Sequence, residues 1–252
     1  MSASRALHWL TARPIAHRGL HDASAGIIEN TSGAFSAAIT GGYGIECDVQ
    51  VTRDGEAVVH HDDALGRLTA GDAALAELTA AELRRVQYLN SPDRIITLGE
   101  LCDLVDGRVP LIVEIKSRFD GDLRLTKRLA AVLTEYKGPA AAMSFDAVIV
   151  QALREVAPML PRGIVAERHY HRHPEWDGLS AAKKRSMAFL LHAPHTHPHF
   201  VAYSVKDLPS PAPLLARNLF GLPLLTWTVR SEQDRRTAAR FADQMIFEGF
   251  RP

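Results

Sequence analysis

Cysteine is scarce in this chain of 252 residues. Cys47 and Cys102 are the only two, which gives no basis for a disulfide framework or a thiolate zinc site. Long apolar runs are missing as well. No stretch approaches the ~20 residues of a spanning helix, and the opening Met-Ser-Ala-Ser-Arg-Ala-Leu-His-Trp-Leu lacks the apolar core and cleavage site of a secretory signal. Neither sign of charge is in excess, because 29 Lys and Arg balance 29 Asp and Glu. Neutrality gives no support for a nucleic-acid surface or for stable association with an anionic membrane. Linkers and low-complexity tracts are also absent. These absences lead to the expectation of a cytoplasmic protein forming one domain over 1–252.

What is present is alternation. Strand-like runs at 14–19, 45–51, 111–116, 140–145, 162–166, 200–205, 222–229 and 245–247 are separated by helical patterns at 30–39, 79–106, 122–136, 147–156, 180–191, 212–219 and 231–241. Thr79 with Glu82, and Thr97 with Glu100, have capping-box spacing, and Ser231 is placed as an N-cap. Asp54-Gly55 signals a turn, with 57–61 as the returning arm of a small insertion after the second strand. Eight strand–helix alternations at this length predict an α/β fold, a TIM (β/α)8 barrel. The pattern places no eighth outer helix after the last strand. Residues 3–12 are expected to form a short N-terminal helix that sets Leu7 and Leu10 against the barrel.

Three carboxylates fall inside apolar strands. Glu46 and Asp48 share one face of their strand, and Glu114 shares a face with Lys116. Cys47 alternates to the other face as a small buried apolar side chain. Carboxylates in apolar strands are costly without a compensating positive charge, and three converging would suit a hard divalent cation. Chemistry in such barrels gathers at the C-terminal strand ends. His17-Arg18-Gly19 ends the first strand, Glu46 and Asp48 come late in the second, Glu114 and Lys116 end the third, and His61-Asp62 follows the returning arm.

These residues occur within a longer ordered set: His17-Arg18-Gly19, Glu29-Asn30-Thr31, Glu46-Cys47-Asp48, Thr52-Arg53-Asp54-Gly55, His61-Asp62 with Leu65, Arg67 and Thr69, then Glu114-Ile115-Lys116, Ser144-Phe145 and Trp227-Thr228-Val229. In that order, over nearly the whole chain, the set resembles the glycerophosphodiester phosphodiesterase family. The resemblance implies a metal-dependent barrel that hydrolyses glycerophosphodiesters to sn-glycerol 3-phosphate and an alcohol. It implies one divalent cation, Mg²⁺ or Ca²⁺, on Glu46, Asp48 and Glu114. His17 and His61 would be the acid–base pair, His17 as first base and His61 as first acid, working through a cyclic phosphate. Arg18 and Lys116 would contact phosphate, with Glu29, Phe145 and Trp227 near the substrate. Two departures stand out. Ile28 occupies the place of the family's proline, and Phe247-Glu248 stands where the closing strand normally carries Thr-Asp, weakening any role carried over to that strand.

Plainer readings accompany these. Glu114 and Lys116 could be only a buried ion pair, Glu29 and Asn30 only helix-start signals, and Phe145 and Trp227 only barrel packing. Asp62 could orient a histidine or cap a turn. The spacing after His61 selects it over His60, which is left structural. Seven histidines between His169 and His199 read as solvated loops, with no zinc spacing. Rival functions are a phospholipase D-like activity on lysophospholipids or sphingomyelin, and a non-catalytic glycerol-phosphate-binding barrel.

Overall fold

Among the described residues, nine strands form in chain order: β1 (Ile15–Ala16), β2 (Gly44–Val51), β3 (Ala57–Val59), β4 (Leu111–Ile115), β5 (Ala140–Ser144), β6 (Arg162–Ala166), β7 (Phe200–Ser204), β8 (Leu224–Val229) and β9 (Gln244–Phe247). The computed structural model describes residues 7–172 and 174–252. All strands except β3 pair in parallel, in the order β1-β9-β8-β7-β6-β5-β4-β2, and β1 pairs with β2 to close the ring. This is the expected TIM (β/α)8 barrel. β3 is the small insertion, antiparallel to the end of β2 through Val49 and Val59.

Ten α-helices accompany the strands among the described residues: α1 (His8–Thr11), α2 (Ser32–Thr40), α3 (Ala80–Leu83), α4 (Leu98–Val105), α5 (Arg124–Glu135), α6 (Ala147–Val156), α7 (Ala181–Ala188), α8 (Ala193–Thr196), α9 (Pro211–Asn218) and α10 (Glu232–Phe241). Both capping boxes form, and Ser231 caps α10 by accepting from the Asp234 N–H. No helix follows β9 among the described residues. The helical run expected over 180–191 stops sooner, at α7, with Leu190 in left-handed backbone at φ 54° before α8 begins. The first strand is shorter than 14–19, because Arg18 and Gly19 turn into positive φ. Of the expected N-terminal helix, residues 3–6 lie outside the described residues. Leu7 and Leu10 are buried as expected.

Strand alternation gives the barrel two kinds of wall. Ile45, Cys47, Val49, Val113 and Ile115 belong to the cluster shared with Leu98, Leu101, Leu125 and Leu129 of the outer helices. The opposite faces fill the interior in layers. The lower layers are Ile15, Ile112, Ala141, Met143, Val165, Phe200, Ala202, Leu225 and Ile246, with Leu10 of α1 packed into the same cluster. Full burial stabilises such apolar side chains by about 1.5–3 kcal/mol each. Gly163 makes room here, since a Cβ on it would sit 2.3 Å from the ring of Phe200, its partner across β6 and β7. One step further along each strand, the same faces carry His17, Glu46, Asp48, Glu114 and Lys116.

Candidate active site

Side chains at the mouth continue the inward-facing rows of the strands below them. His17 follows Ile15, Glu114 follows Ile112, Phe145 follows Met143, and Trp227 follows Leu225 by two residues, so all are aimed inward. Glu46, Asp48 and Glu114 are buried, and each offers an oxygen within 4.8 Å of the others. Asp48 and Glu114 are register partners across β2 and β4. The turn after β1 closes over this cluster. Gly19, at φ 79°, brings the chain against α2, where a Cβ would lie 2.8 Å from Ala34, and the Arg18 N–H donates to Glu46 at 3.0 Å.

The three carboxylates are not electrostatically alike. Burial would raise Asp48, but Lys116 Nζ at 2.8 Å and Arg18 Nε at 3.2 Å outweigh it and hold Asp48 well below the usual carboxylate range. Asn30 Nδ2 also donates to it, at 2.9 Å. Burial, with the like charges of Asp48 and Glu114, pushes Glu46 well up. Burial also raises Glu114, against the pull of Lys116 at 2.6 Å. Fully ionised, the three carboxylates would carry more negative charge than Arg18 and Lys116 offset. Three carboxylates with that surplus form a donor set suited to a hard divalent cation, and these residues fit one.

A histidine stands on each side. His17 Nδ1 donates to Glu248 at 2.7 Å, and its Nε2 lies 4.0 Å from Glu46. Burial lowers the His17 pKa to about 4 despite that hydrogen bond, so the ring is neutral at pH 7 with the Nε2 lone pair free. His61 Nδ1 donates to Asp62 at 2.8 Å. Asp62 also pairs with Arg67 at 2.6 Å, Arg67 reaches Glu29 at 2.7 Å, and Glu29 binds Arg18 at 2.7 Å. Glu29 drops to about 2, the two guanidiniums overcoming its burial.

All five central residues expected from sequence, His17, Glu46, Asp48, His61 and Glu114, meet at one mouth, with Arg18 and Lys116 between them. Asp62 orients His61 rather than only capping a turn. Glu29 lies outside α2, whose N-cap is Thr31. Glu114 and Lys116 do form an ion pair, within the larger cluster. His60 is buried and points Nδ1 at the Asp62 carbonyl. Phe145 and Trp227 stack edge to face, with centroids 5.6 Å apart.

Two residues went unread in the sequence. Glu248, named only as a departure that weakened any role carried over to the closing strand, reaches the mouth. It bonds His17 and Arg230, at 2.7 and 2.8 Å. Its signal was the alternation Gln244, Ile246, Glu248, which aims all three inward. His21, with Nε2 4.0 Å from Glu248, is the other. The histidine-rich segment divides. His169 and His171 follow β6 at the mouth, and His169 binds Asp207 at 2.5 Å. His192, His195, His197 and His199 lie on the approach to β7, at the opposite end of the barrel.

Comparisons with known proteins bear on the family and the fold. Residues 17–249 match the Glycerophosphoryl diester phosphodiesterase family. A probable glycerophosphodiester phosphodiesterase 1 of Mycobacterium tuberculosis is 33% identical over 171 residues, 58% of this chain and 61% of that protein. The chain thus spans about three-fifths of that relative's length. A glycerophosphodiester phosphodiesterase of Caldanaerobacter subterraneus is 28% identical over 230 residues, 87% of this chain and 86% of that one. A phosphodiesterase structure from Oleispira antarctica, in complex with the product sn-glycerol-3-phosphate, superposes with a TM-score of 0.76 at 21% identity, covering 95% of this chain and 94% of that one. That likeness concerns the fold. No helix among the described residues is long and apolar enough to cross a membrane. With the family match running from His17 past Glu248, nearly the whole barrel and every residue of the mouth described above fall inside it, and the chain belongs to the glycerophosphoryl diester phosphodiesterase family.

Proposed function

We propose that this protein hydrolyses glycerophosphodiesters to sn-glycerol 3-phosphate and an alcohol. The observation that carries this reading is the convergence of Glu46, Asp48 and Glu114 within 4.8 Å, with a histidine on either side. Those three carboxylates would hold one divalent cation, Mg²⁺ or Ca²⁺. When bound, it supplies positive charge for the phosphoryl oxygens.

The chain's own side chains do the rest. Arg18 and Lys116 position the phosphate, the guanidinium by a fork of N–H donors and the ammonium as a point charge. His17, neutral and with Nε2 free, takes the proton of the attacking glycerol 2-hydroxyl. Glu248 fixes the tautomer that leaves Nε2 able to do so. The P–O bond to the alcohol breaks, and His61 gives that oxygen a proton. A water then opens the resulting cyclic phosphate with the two histidines exchanging roles. Each proton transfer contributes about 10²–10⁴-fold. Phe145 and Trp227 shield the reacting atoms from bulk water.

Phosphorus NMR of glycerophosphodiesters incubated with Mg²⁺ or Ca²⁺ tests this directly. Appearance of glycerol 3-phosphate, abolished by EDTA and restored only by divalent cations, is the expected result. Chelator-insensitive turnover would remove the cation. Cleavage of lysophosphatidylcholine in preference to glycerophosphocholine would move the activity to the phospholipase D-like class. Binding of glycerol phosphate with no product from any diester would leave a non-catalytic barrel.

A further inference from the structure

A groove of about 770 Å³ leads outward from the mouth. His61, Glu114 and Lys116 stand at its inner end, whereas His17, Arg18 and Asp48 do not border it. Its wall continues a chain of ring contacts. Trp227 meets Phe145 at 5.6 Å between centroids, Phe145 meets Trp176 at 4.7 Å, and Trp176 meets Phe119 at 6.1 Å. The chain ends on a cation, for Lys183 Nζ lies 4.3 Å from the centroid of Phe119. No carboxylate of the described residues lies within ion-pair distance of that ammonium. The acids lining the groove are mostly engaged elsewhere. Glu114 is bound to Lys116, Asp122 to Arg124 at 2.7 Å, and Asp63 faces Arg118 at 3.9 Å. Asp120 and Glu175 are exposed, where solvent and salt screen them most.

We propose that this groove receives the leaving alcohol and that Lys183 determines specificity there, favouring alcohols with a negative charge remote from the ester oxygen over cationic ones. The inference rests on the hydrolysis proposed above. The group that protonates the leaving oxygen must lie within hydrogen-bond reach of it, and His61 is the histidine that borders the groove. An alcohol extending away from His61 along the aromatic wall ends at Lys183. A cationic alcohol would normally gain from the face of an aromatic ring. Here the ammonium of Lys183 already covers the face of Phe119 and repels a second cation. An anionic end gains the attraction instead.

The test compares kcat/KM on three glycerophosphodiesters whose alcohols are choline, glycerol and 3-hydroxypropionate, using wild type, Lys183→Met and Lys183→Glu. The ratio of the 3-hydroxypropionate ester to the choline ester is expected to fall about 25-fold in Lys183→Met and roughly 600-fold in Lys183→Glu, because one screened unit charge near 4 Å, worth about five-fold, acts on the two esters with opposite sign. Ratios that stay put, or rise, overturn the assignment of Lys183. Should the variants fail to fold, wild type alone decides. Raising NaCl from ~0.05 to ~0.5 M should compress its ratio toward one, and an insensitive ratio overturns the proposal. A wild type that cleaves none of the three esters removes the hydrolase reading itself, an outcome distinct from unchanged ratios on cleaved substrates.

Discussion

The lower and upper halves of the barrel interior hang on the same strands and obey the same alternation, yet their chemistry is opposite. Below, Leu10, Ile15, Ile112, Phe200 and Leu225 interlock as a dry core. Above, within two residues along each strand, Glu46, Asp48 and Glu114 are also buried, and when ionised they carry more negative charge than their neighbours neutralise, which drives Glu46 to hold a proton. The floor supplies stability. The mouth draws on it, holding like charges together where water cannot screen them. Substitutions in one half should therefore move a different observable from substitutions in the other.

The largest separation is expected from His17→Ala or His61→Ala. Turnover of a glycerophosphodiester should drop by about 10²–10⁴-fold for either, while circular dichroism remains native. Retention of more than a tenth of wild-type turnover in both would detach the histidines from the chemistry. The counterpart in the floor is Phe200→Ala, which should lower unfolding free energy by about 3–5 kcal/mol in urea and leave KM of the folded fraction unchanged. A loss under ~1 kcal/mol would mean that the space beside Gly163 collapses without penalty.

Next in size is Glu248→Gln. It should reduce kcat by about 10–100-fold with little change in KM, as expected for a partner that orients a working group. The sign of its pH effect is fixed. The Glu248 bond raises the His17 pKa against burial, so removing it lowers that pKa, and the acid limb of kcat/KM should shift to lower pH. An unshifted limb with normal kcat would reduce Glu248 to a structural tie.

The smallest effect on stability runs the other way. Glu46→Gln should abolish turnover yet stabilise the protein in EDTA, by about 1 kcal/mol at pH 8. Glu46 has a folded pKa above its ordinary 4.5. The folded state therefore holds a proton that the unfolded chain releases, and wild-type stability declines as pH rises above 4.5. Glutamine has no such decline. The advantage of the variant should be absent at pH 4 and grow toward pH 8 in urea unfolding. A constant difference across that range would contradict the surplus charge described for the mouth.

Much of this was legible beforehand, for identifiable reasons. The capping boxes at Thr79 and Thr97 are local, four-residue devices, and they formed as spaced. The inward aim of Glu46, Asp48 and Glu114 follows from a period of two within single strands. Glu248 obeys the same period, but its departure from the family's Thr-Asp drew the reading away from the alternation. The link from His61 through Asp62, Arg67 and Glu29 to Arg18 could not be read, because its members come from two connections, joined by Arg67 to Glu29 across 38 residues.

The sequence by itself determined the order of elements and the side of each strand on which charge would fall, since periodicity, caps and turns act over a few residues. Only the closed barrel decided which of those charges meet. It set Glu248 beside His17, 231 positions away, brought three carboxylates to one point, and ran an aromatic wall from Trp227 out to Lys183. Such contacts arise from ring closure and strand register, which couple residues by distance in space rather than along the chain.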